Sequence, residues 1–455
     1  MRPDEGWFVI AAFCVGCVAD VDIFDSGDDD VSSTYAAPGS KNATGFVDTF
    51  FASGSLDASN PFFASLGTNG RSCGSCHQRA EGWSITPTGV KARFNATNGT
   101  DPIFRLNDGS VSPNADVSTL AARQNAYKLL LSKGLVRVGL GIPANAEFTL
   151  HAVDDPYGFA SAAELSLFRR PLPSTNLPFL ATIMWDGRGT LSATNMTANL
   201  LSQAADATLG HAQATGINNA HMAAMVTFET GMFTAQTHDN GAGPLTNHGG
   251  RGGPQHLANT EFFLGINDSL SPGFDPNAMT LFDAWAPPTN PSADASAKRR
   301  YAIFRGQQLF NAKPIAITGV AGLNDLLGAP TIVGTCTTCH DTPNVGNHSL
   351  SLAINIGISD ESRRTPDLPL YTLRNKSTGA LVRTTDPGRA LITGKWADIG
   401  KFKGPILRGL QSRPPFFHDG SAATLQDAIS FYNTRFSIGL TAQEQQDLLA
   451  FLQAL

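Results

Sequence analysis

Two pentapeptides decide the fold of this chain: Cys73-Gly74-Ser75-Cys76-His77 and Cys336-Thr337-Thr338-Cys339-His340. Each is a complete C-x-x-C-H signature for covalent haem attachment. Two thiols three positions apart can each form a thioether with one porphyrin edge, and the adjacent histidine places an imidazole under the iron. The alternative, a zinc half-site, needs further Cys or clustered His, whereas the two motifs already use four of the six cysteines in the chain. The pair therefore predicts two covalently bound c-type haems.

The composition is that of a globular chain with no nucleic-acid function. Its 455 residues are ample for two haem-enclosing cores. The 45 glycines and 27 prolines, against only 15% charged residues, favour helices joined by long ordered loops. The net charge is −6 and no basic stretch is present, which excludes nucleic acid as a partner.

The first 45 residues are expected to be an export signal and a tether. The apolar run at 7–17 is too short to span a bilayer and resembles the core of a signal peptide. Residues 1–17 are therefore predicted to be a signal peptide or a lipoprotein signal, with a lipid anchor at Cys17; a frayed N-terminus is the alternative. Residues 18–45 are acidic and read as a flexible tether. Covalent haem attachment also implies maturation outside the cytoplasm, so a periplasmic or otherwise extracytoplasmic location is expected.

The rest of the chain is predicted to be mainly α, with two cytochrome c-like haem domains, long loops and a little β. The predicted domains are residues 46–290 and 291–455, because each half repeats an aromatic entry, a haem motif and an Asp-Gly turn. The aromatic entries are at 61–63 and 309–310, and the turns are Asp186-Gly187 and Asp419-Gly420.

Two local patterns predict further elements. Thr441 and Glu444 form a capping box ahead of apolar residues at helical spacing, which predicts a C-terminal helix that packs on the second haem core. The alternating stretches at 136–138 and 147–151 predict a small sheet.

The second axial ligand decides whether each iron carries electrons or reacts. The seven methionines are at positions 1, 184, 196, 222, 225, 232 and 279, so none follows the second motif. The remaining candidates there are His348, His418 and several tyrosines. After the first motif no His or Met occurs before His151, so the first iron is expected to be open.

Several stretches together resemble the bacterial dihaem cytochrome c peroxidase and MauG family. They are the second C-x-x-C-H, Arg-Gly-Gln-Gln-Leu-Phe at 305–310, Trp-Asp-Gly-Arg at 185–188, and Pro-Phe-Phe-His-Asp-Gly-Ser-Ala-Ala-Thr-Leu at 415–425. The resemblance covers the haem-bearing parts of residues 46–455. Stretches at about 85–175 and 235–295 are longer than the family core and have no assignment.

The resemblance implies roles for the two haems and for residues around them. The first haem, on His77, would be catalytic, and the second, on His340, would transfer electrons, with Trp185 as the relay between them. Tyr432, fourteen residues after His418, would be the second haem's distal ligand, as in the MauG-like branch; the absence of a nearby methionine agrees independently. His418 itself would lie near the propionates of the second haem. A calcium ion between the two domains belongs to the same set of expectations.

The distal pocket of the first haem departs from the family pattern. Gln203 occupies the position of the family's Gln, but Ala207 replaces its Pro and Gln213 replaces its acid/base Glu. Cleavage of peroxide needs a group that takes a proton and returns it to the leaving oxygen, which a Gln side chain cannot do. Either His211, two residues before Gln213, replaces the Glu, or peroxidase activity is weak.

These observations predict an exported dihaem c-type oxidoreductase that reduces hydrogen peroxide at the first haem. Electrons would reach it through the second haem and Trp185 from a small redox protein, a cytochrome c or a cupredoxin, or from a protein substrate. One alternative is a dihaem oxygenase that uses dioxygen, as rubber oxygenases do. The other is a non-catalytic dihaem electron-transfer protein.

Overall fold

The structure is a computed structural model that describes residues 39–455. The predicted signal at 1–17, with its lipid anchor at Cys17, and most of the predicted tether lie outside the described residues. The end of the tether stretch is folded, because strand β1 (Ser40–Asn42) pairs antiparallel with strand β2 (Gly45–Phe51). Across residues 39–455, no helix combines the length and apolarity that crossing a membrane requires.

The helices of the described region are short to medium in length. They are α1 (Pro87–Thr97), α2 (Leu120–Ala126), α3 (Lys128–Lys133), α4 (Met196–Gly210), α5 (Asn219–Thr230), α6 (Pro254–Ala258), α7 (Ala295–Ala312), α8 (Ala390–Thr393), α9 (Leu425–Arg435) and α10 (Ala442–Gln453).

The remaining strands are also short. They are β3 (Val136–Leu140), β4 (Phe148–Asp154), β5 (Leu165–Arg169), β6 (Met232–Asp239), β7 (Gly243–Pro244), β8 (Ile315–Thr318), β9 (Thr331–Gly334), β10 (Ala353–Ile354), β11 (Leu370–Asn375), β12 (Leu381–Thr384) and β13 (Phe402–Lys403). Helix accounts for 31% and strand for 16% of the structure, so the prediction of a mainly α protein is met only in part.

The strands form small antiparallel sheets that lie around the two motifs. The largest has the order β1-β2-β6-β7, another has the order β12-β11-β4, and β3-β5, β8-β9 and β10-β13 are two-stranded. The strands predicted at 136–138 and 147–151 are present as β3 and β4, but their predicted pairing with each other is wrong. β3 pairs with β5, and β4 pairs with β11 because Phe148 packs against Tyr371 and Leu373 in one buried cluster. Strand pairing is decided by such distant side chains, which local alternation does not reveal.

The predicted C-terminal helix is confirmed. Thr441 and Glu444 cap α10 with both hydrogen bonds of the capping box, and the helix packs against α7 and α9. Phe451 is fully buried there, with its ring centroid 5.6 Å from that of Phe310. Burial of a side chain of this size contributes about 1.5–3 kcal/mol. Leu448 and Leu452 of the same helix reach the space beside the second motif.

The stretch at 235–295 packs on the same core. Phe282 and Trp285 stack with ring centroids 4.6 Å apart and belong to one buried cluster with Phe310 and Phe451. The described residues fall in one compact unit, and β4 pairs with β11 across the predicted boundary at 290/291. The division into two haem domains therefore stays a prediction.

Candidate haem sites

The two C-x-x-C-H motifs fold into the same local structure. In each, the two residues after the first cysteine continue a single tight helical turn, Cys73–Ser75 and Cys336–Thr338. A hydroxyl closes each turn: Ser75 Oγ accepts from the Ser72 N–H at 3.0 Å, and Thr338 Oγ1 accepts from the Thr335 N–H at 3.0 Å. The short side chains inside the motifs thus hold both cysteines and the histidine on one local scaffold.

Both histidines are held in the tautomer that ligates iron through Nε2. His77 Nδ1 donates to Trp83 O at 2.9 Å, and His340 Nδ1 donates to Gly346 O at 2.6 Å, each carbonyl lying six residues further on. A carbonyl only accepts, so Nδ1 carries the proton and Nε2 keeps its lone pair. Burial lowers the pKa of both imidazoles, which also favours the neutral ligating form.

The aromatic entries repeat as well. The Phe62 ring lies 6.2 Å from the His77 ring at 52°, and the Phe310 ring lies 5.9 Å from the His340 ring at 49°. The internal echo in the sequence therefore corresponds to a repeated packing of phenylalanine beside each histidine.

Each motif opens onto a large, mainly apolar cavity. The first cavity is lined by Cys73, Cys76 and His77. The second cavity is lined by Cys336, Cys339 and His340. Each therefore has two thiols and one imidazole at a mainly apolar wall. This donor set fits a covalently attached haem in each cavity.

The zinc alternative finds no further ligands. Four of the six cysteines lie in the two motifs, and each cavity has only its own pair of thiols among the described residues. Within residues 39–455 no group of three or more His, Cys, Asp and Glu side chains is arranged to hold a metal ion. The calcium ion between domains stays a prediction.

Tyr432, the predicted distal ligand of the second haem, lines the second cavity. It belongs to α9 and stacks on Phe436 with ring centroids 6.3 Å apart, and its role as a ligand stays a prediction. Burial raises the pKa of its phenol, so ionisation there needs a nearby positive charge such as a ferric iron. Of the other candidates for this position, His348 and His418 do not line the second cavity.

His418 lies behind the cavity wall, so the structure does not place it at the cavity surface where a direct haem contact is expected. Its ring stacks on Phe402 at 4.3 Å and lies edge-on to Trp185 at 6.3 Å. Nε2 is 3.9 Å from Asp386, and Nδ1 has no hydrogen-bond partner within the described region. Burial is the main cause of its lowered pKa, so His418 is a neutral support for the aromatic wall.

Trp185 lines both cavities. Its indole N–H donates to Arg170 O at 2.8 Å, and its own carbonyl accepts from the Lys403 N–H at 2.9 Å. The adjacent Asp186 is buried against Arg169, which also binds Asp386 through Nε at 2.7 Å. Gly187 completes the turn with φ +77°, a conformation that favours glycine. The ion pairs and the turn together fix the indole between the two cavities.

Helix α4 brings two of the predicted distal residues to the first cavity. Gln203 and His211 both line it, as does Ala207, which stands in the family's Pro position. Gln213 is not brought to the site: it is exposed, lies outside the cavity lining, and offers its backbone oxygen to the hydroxyl of Thr68 at 3.0 Å. The helix ends at Gly210, so the chain turns away before position 213.

A buried carboxylate that the sequence did not single out holds His211. His211 Nδ1 donates to Asp108 Oδ2, and Arg71 donates to Asp108 Oδ1. Burial raises the pKa of Asp108, but its hydrogen bond from His211 and the charge of Arg71 outweigh burial, so the carboxyl stays ionised. Asp108 belongs to the stretch at 85–175 that had no assignment. Only its Asn-Asp-Gly turn context stands out locally, and such turns are too common to identify it.

Glu229 is a second carboxyl that sequence reasoning missed. It lines the first cavity from α5, is 8% exposed, and burial raises its pKa to about 8. One turn earlier, Met225 places its sulfur 3.8 Å from Cys73 Sγ, at the attachment edge of the cavity. Glu229 is therefore a protonated, neutral side chain at neutral pH.

Comparison with known proteins points to one class. No protein-family model matches the chain. The cytochrome-c peroxidase IdrP1 of Denitromonas iodatirespirans is 28% identical over 194 residues, which is 38% of this chain and 44% of that protein. The cytochrome-c peroxidase IdrP2 of the same organism is 30% identical over 133 residues, 27% of this chain and 36% of that protein. The cytochrome c551 peroxidase of Nitrosomonas europaea is 30% identical over 121 residues, 26% of this chain and 30% of that protein.

These matches span less than half the length of each of these relatives. The weak sequence similarity is to cytochrome c peroxidases and does not separate the branches of that class.

Proposed function

We propose that this protein is an exported dihaem c-type peroxidase. It reduces hydrogen peroxide in the first cavity, with two electrons and two protons giving two waters. The electrons enter at the second cavity from a small redox protein, a cytochrome c or a cupredoxin, or from a protein substrate, and pass by way of Trp185. One observation carries the proposal: Trp185 lines both of two cavities that each contain a complete haem-attachment motif.

The chain's own residues divide the task between the cavities. When bound, each haem supplies an iron that changes oxidation state, and the first also supplies the site where peroxide reacts. Cys73, Cys76 and His77 would hold the first group. Cys336, Cys339, His340 and Tyr432, which all line the second cavity, would hold the second.

His211 is the proton-transfer group in this proposal. Asp108 binds the proton on Nδ1, which leaves Nε2 to accept a proton from one peroxide oxygen and return it to the other. Asp108 also stabilises the positive imidazolium formed between these two transfers, as a buried carboxylate does for a catalytic histidine. Gln203, on the helix that ends just before His211, offers an amide that orients the bound peroxide.

The proposal is tested with the purified holoprotein. Haem content is measured first, and a reduced small cytochrome or cupredoxin is then mixed anaerobically with hydrogen peroxide. We expect two haems per chain and two donor molecules oxidised for each peroxide consumed. Donor oxidation by dioxygen but not by peroxide would favour the oxygenase alternative. Two haems per chain with no donor oxidation by either peroxide or dioxygen would favour the alternative of a non-catalytic electron-transfer protein.

A further inference from the structure

The two cavities share one wall, formed by Arg170, residues 171–173, Trp185 and Lys403. Two of these residues, Arg170 and Lys403, are cations, and both line the two cavities. Lys403 is 7% exposed and Arg170 is 4% exposed. The backbone N–H of Lys403 donates to Trp185 O at 2.9 Å, so the lysine is fixed beside the indole that both cavities contact.

Neither cation forms an ion pair with a carboxylate in the described part of the chain. The guanidinium of Arg170 donates to backbone carbonyls, among them Gly134 O at 3.1 Å and Arg413 O at 3.2 Å, and Glu81 acts on it only through its charge. Lys403 Nζ forms no hydrogen bond or ion pair with residues 39–455, and the charge that acts on it is the like charge of Arg413. Burial, reinforced by that charge, lowers the pKa of Lys403 to about 7.

Two other buried cations do find acceptors. Arg169, at 2% exposure, binds both Asp186 and Asp386. Arg408, at 1% exposure, donates to backbone carbonyls, among them Leu455 O at 3.0 Å and Asn344 O at 2.8 Å. Lys403 Nζ differs from both because it has no acceptor within residues 39–455. A buried charge is costly unless an anion lies beside it, so the wall is complementary to anions that enter from the cavities.

The expected occupants supply such anions, because each haem carries two propionate carboxylates at the edge opposite its thioethers. We propose that Lys403 is a shared anion clamp: its ammonium pairs with propionates from both cavities and so sets the reduction potentials of both haems together. This inference rests on the proposed function, because it requires that both cavities contain a haem. A fixed positive charge favours the reduced, less positive iron, so it raises a reduction potential. One charge at the shared wall acts on two irons at once.

The cavity walls provide matched comparisons for this inference. Arg188 lines only the first cavity, and Arg413 lines only the second. We therefore compare Lys403→Met and Lys403→Arg with Arg188→Gln and Arg413→Gln by spectroelectrochemistry of the holoprotein, following each haem at its own absorbance. Lys403→Met should lower both midpoint potentials, and Lys403→Arg should restore most of both shifts. Arg188→Gln should lower only the first potential and Arg413→Gln only the second.

Movement of one potential alone, or of neither, in Lys403→Met would overturn the clamp, as would a change of iron spin state, which would make Lys403 an axial ligand. If Lys403→Met does not fold, both midpoint potentials are measured in the polar variant Lys403→Gln instead, with the same expected result. Haem content and peroxide turnover are measured on the wild-type sample. Two haems and normal turnover with unmoved potentials in the variant would remove the clamp and leave the peroxidase, whereas absence of haem would remove the proposed function itself.

Discussion

The two candidate haem sites are alike around the motif histidine and unlike elsewhere in the cavity lining. Each has a hydroxyl-closed turn, a histidine whose Nδ1 donates to the carbonyl six residues later, and a phenylalanine about 6 Å from the imidazole. Elsewhere in the lining, the first cavity contains His211 held by Asp108, and the second contains Tyr432. These residues come from chain segments that meet the motifs only in the folded protein, so they are where the two sites can acquire different chemistry.

The largest expected effect comes from removing one attachment site at a time. Cys73→Ser with Cys76→Ser should reduce covalent haem from two per chain to one, and so should Cys336→Ser with Cys339→Ser, because each pair serves its own cavity. Covalent haem is measured after acid extraction, alongside peroxide turnover, which should be lost in both. Loss of both haems from either double variant would show that the cavities do not load independently.

Replacement of His211 tests the reactive side of the first cavity. His211→Ala should slow reaction with peroxide by about two to four orders of magnitude, the span for removing general acid–base help. The matched control is Gln213→Ala, because Gln213 stands in the family's Glu position but lies outside the cavity. Stopped-flow traces at the first haem's absorbance provide the rates. If Gln213→Ala reacted slowly with peroxide and His211→Ala reacted at the wild-type rate, the proton-transfer role would belong to Gln213 and not to His211.

A smaller effect is expected from the residue that positions His211. Asp108→Asn should slow the peroxide reaction by about 10–100-fold, the usual span for a group that orients another. Asp108→Glu should recover part of the rate, because the carboxylate is restored. Haem content and the resting spectrum should be normal in both variants. An equally slow Asp108→Glu with an altered resting spectrum would indicate a merely structural role for this carboxylate.

The smallest expected effect concerns Asp186, in the turn that carries Trp185, and the change in the free energy of unfolding at acid pH. Burial opposes ionisation of Asp186, but Arg169 and Arg188 outweigh it and lower its pKa to about 2. A carboxyl with a depressed pKa stabilises the fold above its unfolded pKa near 4, and the contribution is lost as pH falls toward 2. The contribution is on the order of 2 kcal/mol. Asp186→Asn should therefore show a shallower fall in unfolding free energy between pH 4 and pH 2; an unchanged slope would contradict the ion-pair account.

The elements that the sequence predicts best are local. The C-x-x-C-H spacing and the capped terminal helix depend on contacts within a few residues or on one apolar face. Tyr432 as a ligand came from the family resemblance and from the lack of methionine after position 279; the structure places it in the lining of the second cavity, and the ligation stays a prediction.

The rest could not be predicted because it depends on long-range contacts. Asp108 contacts His211 from 103 residues away in the sequence. Lys403 belongs to the two-residue strand β13, and its local sequence does not distinguish it from an ordinary surface lysine. Gln213 illustrates the converse: its aligned position suggests the distal site, but α4 ends before it, and the residue is exposed and outside the cavity lining. Strands β3 and β4 were found at the right positions but with the wrong partners for the same reason.

Electron paramagnetic resonance of the ferric holoprotein tests the asymmetry most directly, with wild type, Tyr432→Phe and the control Tyr301→Phe, whose side chain lies outside both cavities. The account predicts one high-spin and one low-spin haem in the wild type, with only the low-spin signal altered in Tyr432→Phe and neither altered in the control. Two low-spin signals in the wild type, or a low-spin signal unchanged by Tyr432→Phe, would contradict it.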